Sequence, residues 1–421
     1  MNLLSKRRHL VKGVVFLVLL LFSTASAYAK TEIVVMSHWS GQQSDHILPY
    51  FEEYERLNPD VSIRFEPVTY AELLTRIQVS AVSGVRPDIY HLYNAWLPQL
   101  TDNEILAVPP AEVQDYIREN FNVAAVEGTT LDGIVWGFPT EVNDYVLVYN
   151  DRLFKEAGLD GPPTTWDELR EYAEKLTKKD EKGNVIQAGF ASWMGDTSGV
   201  VHPFYSLLFA NGGSILNEEG TKAAFNSPEG VEALEVYQEI VSTTALTAYE
   251  NFGSGHVAMI VFAPWGKLYF KEQMGDRFSD VKTAHIPPGK AGHGSVSYTW
   301  SFVCDNKSKN QKEAWEFLTW LNSVTEGRNT SRMGDYLADV LGAIPSGNAD
   351  LTNHPDALGD PFMDAYIAAL EYALPEPMVL PAAEINATIQ KEIESVLNNE
   401  LTPAEALKRA ESRVNAILAD Y

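Results

Sequence analysis

Between residues 33 and 92 the apolar positions along the chain change period repeatedly. Ile33–Met36 is a short unbroken apolar run and reads as a strand. Over roughly 45–57, Ile47, Leu48, Phe51, Tyr54 and Leu57 recur at helical spacing, and Asn58-Pro59-Asp60 ends that helix. Val61–Phe65 alternates with the period of a strand. Tyr70–Val82 is again amphipathic until Gly84-Val-Arg-Pro87 breaks it, and Asp88–Leu92 reads as a third strand. The succession β-α-β-α-β predicts a parallel sheet with right-handed crossovers. With strand order 2-1-3, ligands bind beyond the C-terminal ends of the strands, where the chain turns opposite ways. The loops there are His38-Trp-Ser-Gly-Gln42 and Tyr93-Asn-Ala-Trp96, and each carries a tryptophan.

Further along the pattern becomes mixed. Gly133–Tyr149 is extended with a Gly-Phe-Pro interruption. Thr165 and Glu168 have the spacing of a capping box at the start of a helix. Asp180–Asn184 predicts a tight turn, Phe225–Glu229 starts another helix, and Gly255–Phe262 reads as a buried strand ending at Ala263-Pro-Trp265. Helix 310–322 carries Trp315, Leu318 and Leu321, and the C-terminal third is mainly helical. Ile286-Pro-Pro-Gly289 and Ala343-Ile-Pro-Ser-Gly347 are candidate crossings between domains, and no repeat or low-complexity tract is evident.

The extreme N-terminus departs from this pattern. Lys6, Arg7, Arg8 and Lys12 precede the apolar run Val14–Phe22 and an Ala27-Tyr28-Ala29 cleavage signal. The run is too short to span a bilayer comfortably. Residues 1–29 are therefore expected to be a cleaved signal peptide, with Lys30 as the mature N-terminus. No cysteine lies near the cut to carry a lipid anchor, so the expected location is the periplasm. The one cysteine, Cys304, excludes an intramolecular disulfide, which a chain of this length does not need. The formal net charge of -25 grows more negative once the leader's cations are removed. That charge makes nucleic acid and anionic membrane poor partners and implies a solvated, soluble surface.

Catalytic and metal-binding motifs are missing. There is no HExxH, CxxC pair, GxSxG elbow or phosphate-binding glycine loop. His38, His46 and His91 could meet in space, yet none has metal-ligand spacing, so no metal and no cofactor are expected. Two carboxylates could serve glycoside hydrolysis, but an acidic chain has many. The tryptophans carry more information. Trp136, Trp166, Trp315 and Trp320 lie within elements and are expected in the core. Trp39, Trp96, Trp193, Trp265 and Trp300 lie in or beside predicted loops among Ser, Thr, Asn, Gln, Gly and Pro. Indoles mixed with amides and carboxylates suit a sugar, whose C–H face stacks while its hydroxyl rim accepts and donates hydrogen bonds. Each stack of ~50 Å2 contributes on the order of 1 kcal/mol at about 25 cal/mol per Å2. Several carboxylates beside aromatic walls would instead suit a polyamine; one or two with amides favour a neutral polyol.

Several segments resemble the family 1 extracellular solute-binding proteins of bacterial ABC importers, in the sugar-binding, maltose-binding-protein-like class. They are "IVVMSHWSGQ", "LNPDVSIRFEPV", "ELLTRIQVSAVSGVRPDIYHLY", "GFPTEVNDYVLVYN", "LFKEAGLDGPPTTWDEL", "FNSPEGVEAL", "GHVAMIVFAPW" and "EAWEFLTWLNS". The resemblance covers nearly the whole mature chain in order. It implies an α/β, two-lobed periplasmic-binding-protein fold of type II, with 2-1-3 parallel-core sheets, a hinge, an interlobe cleft and a helical C-terminal segment. The expected lobes are residues 30–139 with 290–342, and 140–289 with 343–421. It implies a non-catalytic monomer that binds a carbohydrate and delivers it to membrane permease subunits. The site residues it implies are Trp39, Gln42, Tyr93 and Trp96 from the first domain, Glu141 and Asn143 at the cleft floor, and Trp193 and Trp265 from the second. Trp300 follows the return crossing, and Arg332 and Tyr336 lie near the last one.

Overall fold

The computed structural model describes residues 30–246 and 248–421; the expected leader lies outside the described residues. Strand β1 (Thr31–Ser37) is buried on both faces: Ile33 and Val35 enter one core, Met36 another. This is why its apolar run is continuous rather than alternating. Helix α1 (Gln42–Leu57) buries Ile47, Phe51 and Tyr54. Strand β2 (Val61–Pro67) follows, then α2 (Tyr70–Ser83), which Gly84 ends in the left-handed region at φ 76° while its N–H bonds Ser80 O. Strand β3 (Ile89–Tyr93) is wholly buried. Strands β2 and β3 both pair parallel to β1, giving the 2-1-3 order expected from the sequence.

Strand β4 (Phe138–Asn143) leads through Asp144 and Tyr145 into β5 (Val146–Asn150). Helix α3 (Trp166–Leu176) is capped by Thr165, which accepts from the Glu168 N–H. The Glu168 carboxylate reaches back to the N–H and hydroxyl of Thr164, one residue before the expected partner. Asp180 accepts from the N–H groups of Lys182 and Asn184, which forms the expected turn. There follow β6 (Val185–Phe190), α4 (Thr197–Ala210), α5 (Pro228–Ile240), β7 (Val257–Phe262) and β8 (Val281–Ala284). The last third contributes β9 (Ser295–Cys304), α6 (Gln311–Asn322), β10 (Ile344–Pro345), β11 (Ala373–Pro375), α7 (Ala382–Leu397) and α8 (Pro403–Asp420).

Among the described residues the larger strands form two sheets. The first has the order β10-β4-β9-β3-β1-β2, with β11 pairing the start of β9. The second runs β8-β5-β7-β6 and ends on the short strand Lys178–Lys179. Only β6 and β7 pair parallel among its longer strands; β5 and β8 are antiparallel. The second sheet thus departs from a parallel 2-1-3 core, because β5 enters directly from the first sheet without an intervening helix. The chain changes sheet at Asp144–Tyr145 and again between Ala284 and Ser295; after Pro345 it runs mainly as helices, of which α7 and α8 pack on α4 and α5. The division expected at 139/140 falls inside β4, which pairs within the first sheet throughout. One side-chain atom stitches the two crossings: Ser295 Oγ accepts from Tyr145 N–H at 2.8 Å and donates to Tyr145 O at 2.9 Å.

The first sheet is pinned at the end of its central strands, where β9 finishes and β3 begins. Buried Asp305 accepts from Arg86 at 3.0 Å and Tyr90 OH at 2.7 Å. Asp88 accepts from Val34 N–H, Ser308 Oγ and Asn310 Nδ2. Beside them Cys304 is fully buried, and burial with the two nearby carboxylates raises its thiol well above the usual range. Among the described residues no helix is long and apolar enough to cross a membrane. Asp305→Ala removes the buried carboxylate that Arg86 and the Tyr90 hydroxyl share, leaving Arg86 only Ala81 O and Asn306 Oδ1 and the phenol only Ser80 Oγ. A loss of roughly 3–5 kcal/mol in unfolding free energy is expected by urea titration; a loss below about 1 kcal/mol would show the pair to be no more than a surface bridge.

Candidate functional site

Strand parity places the site. On β4, Glu141 and Asn143 are two residues apart and share a face; on β9, so do Tyr298 and Trp300. All four line a cavity of about 360 Å3 between the two sheets. The ends of β1 and β3 supply His38 and Tyr93, and the starts of α1 and α2 supply Gln43 and Tyr70. The other wall is Trp193, Asp196, Ser198 and His202, on or before α4, and Trp265 after β7. The cavity lies beyond the C-terminal ends of β1, β3, β6 and β7, the position the switch-point rule predicts.

Its aromatic walls are coupled. His38 stacks on Trp300 with centroids 3.9 Å apart, and Tyr93 lies 5.4 Å from the same indole. Trp193 and Trp265 are 6.1 Å apart, both only partly buried, and each also packs on Phe262. Trp265 Nε1 donates to Tyr298 OH at 3.2 Å, joining the two walls.

Polar groups on the floor are acceptors. Glu141 is 3 % exposed and takes a hydrogen bond from the Thr140 hydroxyl. Burial pushes its carboxyl up to about 7. Asn143 is 1 % exposed and its Oδ1 has no protein partner. Asp196 caps α4, accepting from the N–H groups of Ser198 and Gly199, and burial raises its carboxyl too. Burial lowers His38 to about 3, so it is neutral. Among the described residues no Lys or Arg lines the cavity.

Behind the cavity lies a buried polar network. Glu376 accepts from Tyr93 OH and from Asn386 Nδ2 at 2.9 Å, and shares a hydrogen bond with His202 Nε2 at 3.1 Å. His202 Nδ1 meets Tyr145 OH at 2.7 Å. Burial lowers His202 to about 3 and raises Glu376 to about 8, so the contact is a hydrogen bond between neutral groups rather than an ion pair. The network fixes Tyr93 and His202 from opposite sides of the cleft.

Tyr93, Glu141, Asn143, Trp193, Trp265 and Trp300 of the residues expected from the sequence meet at this cavity. Five do not reach it. Trp39 is fully buried against Tyr336, Phe302 and His91. Parity explains this: Trp39 continues the face of Ile33 and Val35 into the core, which leaves His38 on the cleft side. Gln42 is replaced on the wall by its neighbour Gln43. Trp96 backs the wall, stacked on Tyr70 at 5.7 Å. Tyr336 is buried and donates to Gln43 O. Arg332 lies over Trp320 at 3.8 Å beside Glu53, in a separate groove along α6. His38 and His91 stack at 4.8 Å. The His and acid side chains close enough to share an ion, among the described residues, are Asp335, Asp339 and His354, remote from this cavity. Sequence reasoning missed Asp196, although Asp-Thr-Ser-Gly before an apolar helix is an N-cap signal, and it missed His202 and Tyr298.

The family model for bacterial extracellular solute-binding proteins matches residues 40–326, and the chain belongs to that family. A putative binding protein of Brucella abortus is 26 % identical over 393 residues, covering 88 % of this chain and 90 % of its own. The sn-glycerol-3-phosphate-binding periplasmic protein of Salmonella typhimurium is 26 % identical over 456 residues, covering 98 % of each. Among solved structures, a Thermotoga lettingae solute-binding protein bound to α-D-tagatose superposes with a TM-score of 0.81 at 24 % identity, over 92 % of this chain and 99 % of that one. A Listeria monocytogenes substrate-binding protein in complex with cycloalternan gives 0.78 at 23 %, over 93 % and 99 %.

Glu141 makes the site's burial measurable. Its folded-state carboxyl sits near 7 against an ordinary 4.5, so the folded chain holds this proton more tightly than the unfolded one. Its contribution to stability is complete below about pH 4.5 and is lost as pH rises through about 7. Glu141→Gln lacks that titration. Relative to wild type the variant should therefore gain on the order of 2–3 kcal/mol between pH 5 and pH 8 in urea unfolding. A constant difference would mean that water reaches the carboxyl freely.

Proposed function

We propose that the chain is the carbohydrate-binding component of an ABC importer, acting in the periplasm as a monomer and catalysing no reaction. The observation that carries this reading is the pairing of partly buried indoles that line the cavity, Trp193 and Trp265, with an acceptor floor of Glu141, Asn143 and Asp196. A sugar ring offers an apolar face to the first and hydroxyl donors to the second. The cavity's volume lies near the lower end of the roughly 300–1,000 Å3 of small-molecule sites, which suits one or two rings.

The lining also discriminates among the ligands of relatives. A phosphate ester needs cationic or backbone N–H partners, and no Lys or Arg faces this cavity among the described residues. That weighs against sn-glycerol-3-phosphate, the ligand named for the Salmonella relative. Two carboxylates with amides from Asn143 and Gln43 favour a polyol over a polyamine.

We assign residues 30–143 with 290–345 to one lobe and 146–289 with 346–421 to the other, following strand membership as far as Pro345 and, beyond it, the packing of α7 and α8 on α4 and α5. A ligand that touches both walls only when they are close together stabilises that state by its differential affinity. The closed form is then the one the permease receives.

Tryptophan fluorescence titrated with mono- and disaccharides should change saturably, and sn-glycerol-3-phosphate should leave it flat. Trp265→Ala should weaken sugar binding by roughly 1–3 kcal/mol with little change in stability. Trp39→Ala should instead cost roughly 3–5 kcal/mol of stability. Tight phosphate-ester binding, or equal stability losses in the two variants, would overturn the reading.

A further inference from the structure

We infer that the preferred ligand is an amino sugar, a saccharide whose single ammonium group docks on the Glu141 side of the cavity floor. This rests on the carbohydrate reading above and narrows it.

The argument starts from the acceptor count. Glu141 and Asp196 both face the cavity, and neither is matched by a Lys or Arg in its lining among the described residues. Thr140 satisfies part of Glu141, while the backbone N–H groups of Ser198 and Gly199 and the Ser198 hydroxyl all converge on one oxygen of Asp196. Asn143 Oδ1, buried two residues from Glu141 on the same strand face, has no partner. Buried charges are normally paired, and buried acceptors normally bonded. A neutral polyol would satisfy the acceptors but leave the carboxylates uncompensated. An ammonium group supplies three donors and the missing charge together. The indole faces of Trp193 and Trp265 tolerate a cationic ring better than an anionic one. The acidic chain, with a formal charge of -25, further favours a cationic ligand over an anionic one.

The remaining groups around Glu141 do not compete for this role. Tyr298 on β9 and Tyr336 lie within electrostatic reach of it, and both phenols are raised further from ionisation by burial. His38 and His202 are held neutral by burial. Glu376 sits behind Tyr93 and His202 rather than on the floor. Glu141 is therefore the group whose ionisation an ammonium ligand would draw, and binding would release its proton. The free carboxyl sits near 7. Affinity for an amine-bearing ligand should thus rise with pH across neutrality. For a neutral sugar that uses the protonated carboxyl as a donor it should fall.

Calorimetric titration of the full mature chain with glucosamine and galactosamine, their neutral parents and their N-acetyl derivatives tests this. Expected are Kd values at least tenfold tighter for the amines at pH 7.5, loosening roughly fivefold on going to pH 6, the amine's own loss of charge near pH 7.5 offsetting part of the gain. Glu141→Gln, checked for folding by circular dichroism, should abolish both the preference and the pH slope. Neutral parents that bind as tightly as the amines, or an amine affinity that does not rise from pH 6 to 7.5, would overturn this inference and leave the carbohydrate reading standing. If no saccharide of either kind binds, the carbohydrate reading falls with it.

Discussion

Antiparallel pairing of β4 with β9 governs the rest of the architecture. The register sets Tyr298 opposite Asn143 and Thr299 opposite Val142, so the cleft-facing side chains of both strands emerge on one side. Both strands stand at points where the chain changes sheet, and Ser295 bonds Tyr145 across the two crossings. A one-residue slip of β4 would turn Glu141 and Asn143 away from the cavity, while Tyr298 and Trp300 stayed in place through the pairing of β9 with β3. The bulge between Thr299 and Ser301 is the local irregularity that the pairing absorbs.

From this pairing follows the division of labour among the aromatic residues. Indoles of the first sheet are mostly structural: Trp39 and Trp315 are buried, and Trp300 is 4 % exposed and shows the cavity little surface. Indoles beyond the second sheet, Trp193 and Trp265, are only partly buried. The two walls are held by different means. Stacked rings fix the first, whereas the second depends on the Asp196 cap and on the Glu376–His202–Tyr145 network.

Much of the fold was legible in the sequence because local signals and tertiary burial agree. The β-α-β-α-β opening is clear from periodicity, and the 2-1-3 order emerges as β1 between β2 and β3. The second sheet was less legible. Its strands are short and apolar on both faces, so nothing in their pattern distinguishes parallel from antiparallel pairing. Of the five loop tryptophans, Trp193, Trp265 and Trp300 line the cavity between the sheets and Trp39 and Trp96 do not. Trp39 and His38 are adjacent, and only the alternation begun in β1 decides which one faces the cleft. Glu376 and His202 carry no local signal, since a helix, a crossing and a strand end bring them together over a separation of 174 residues.

Cys304 has a practical consequence of a different kind. Its thiol is sealed inside β9 and its ionisation is suppressed, so the native chain offers maleimide reagents no reactive background. Two cysteines introduced on opposite rims of the cavity would then be the sole sites of labelling. Spin labels or fluorophores attached there would report, on otherwise unmodified protein, the distance between the rims with and without added sugar.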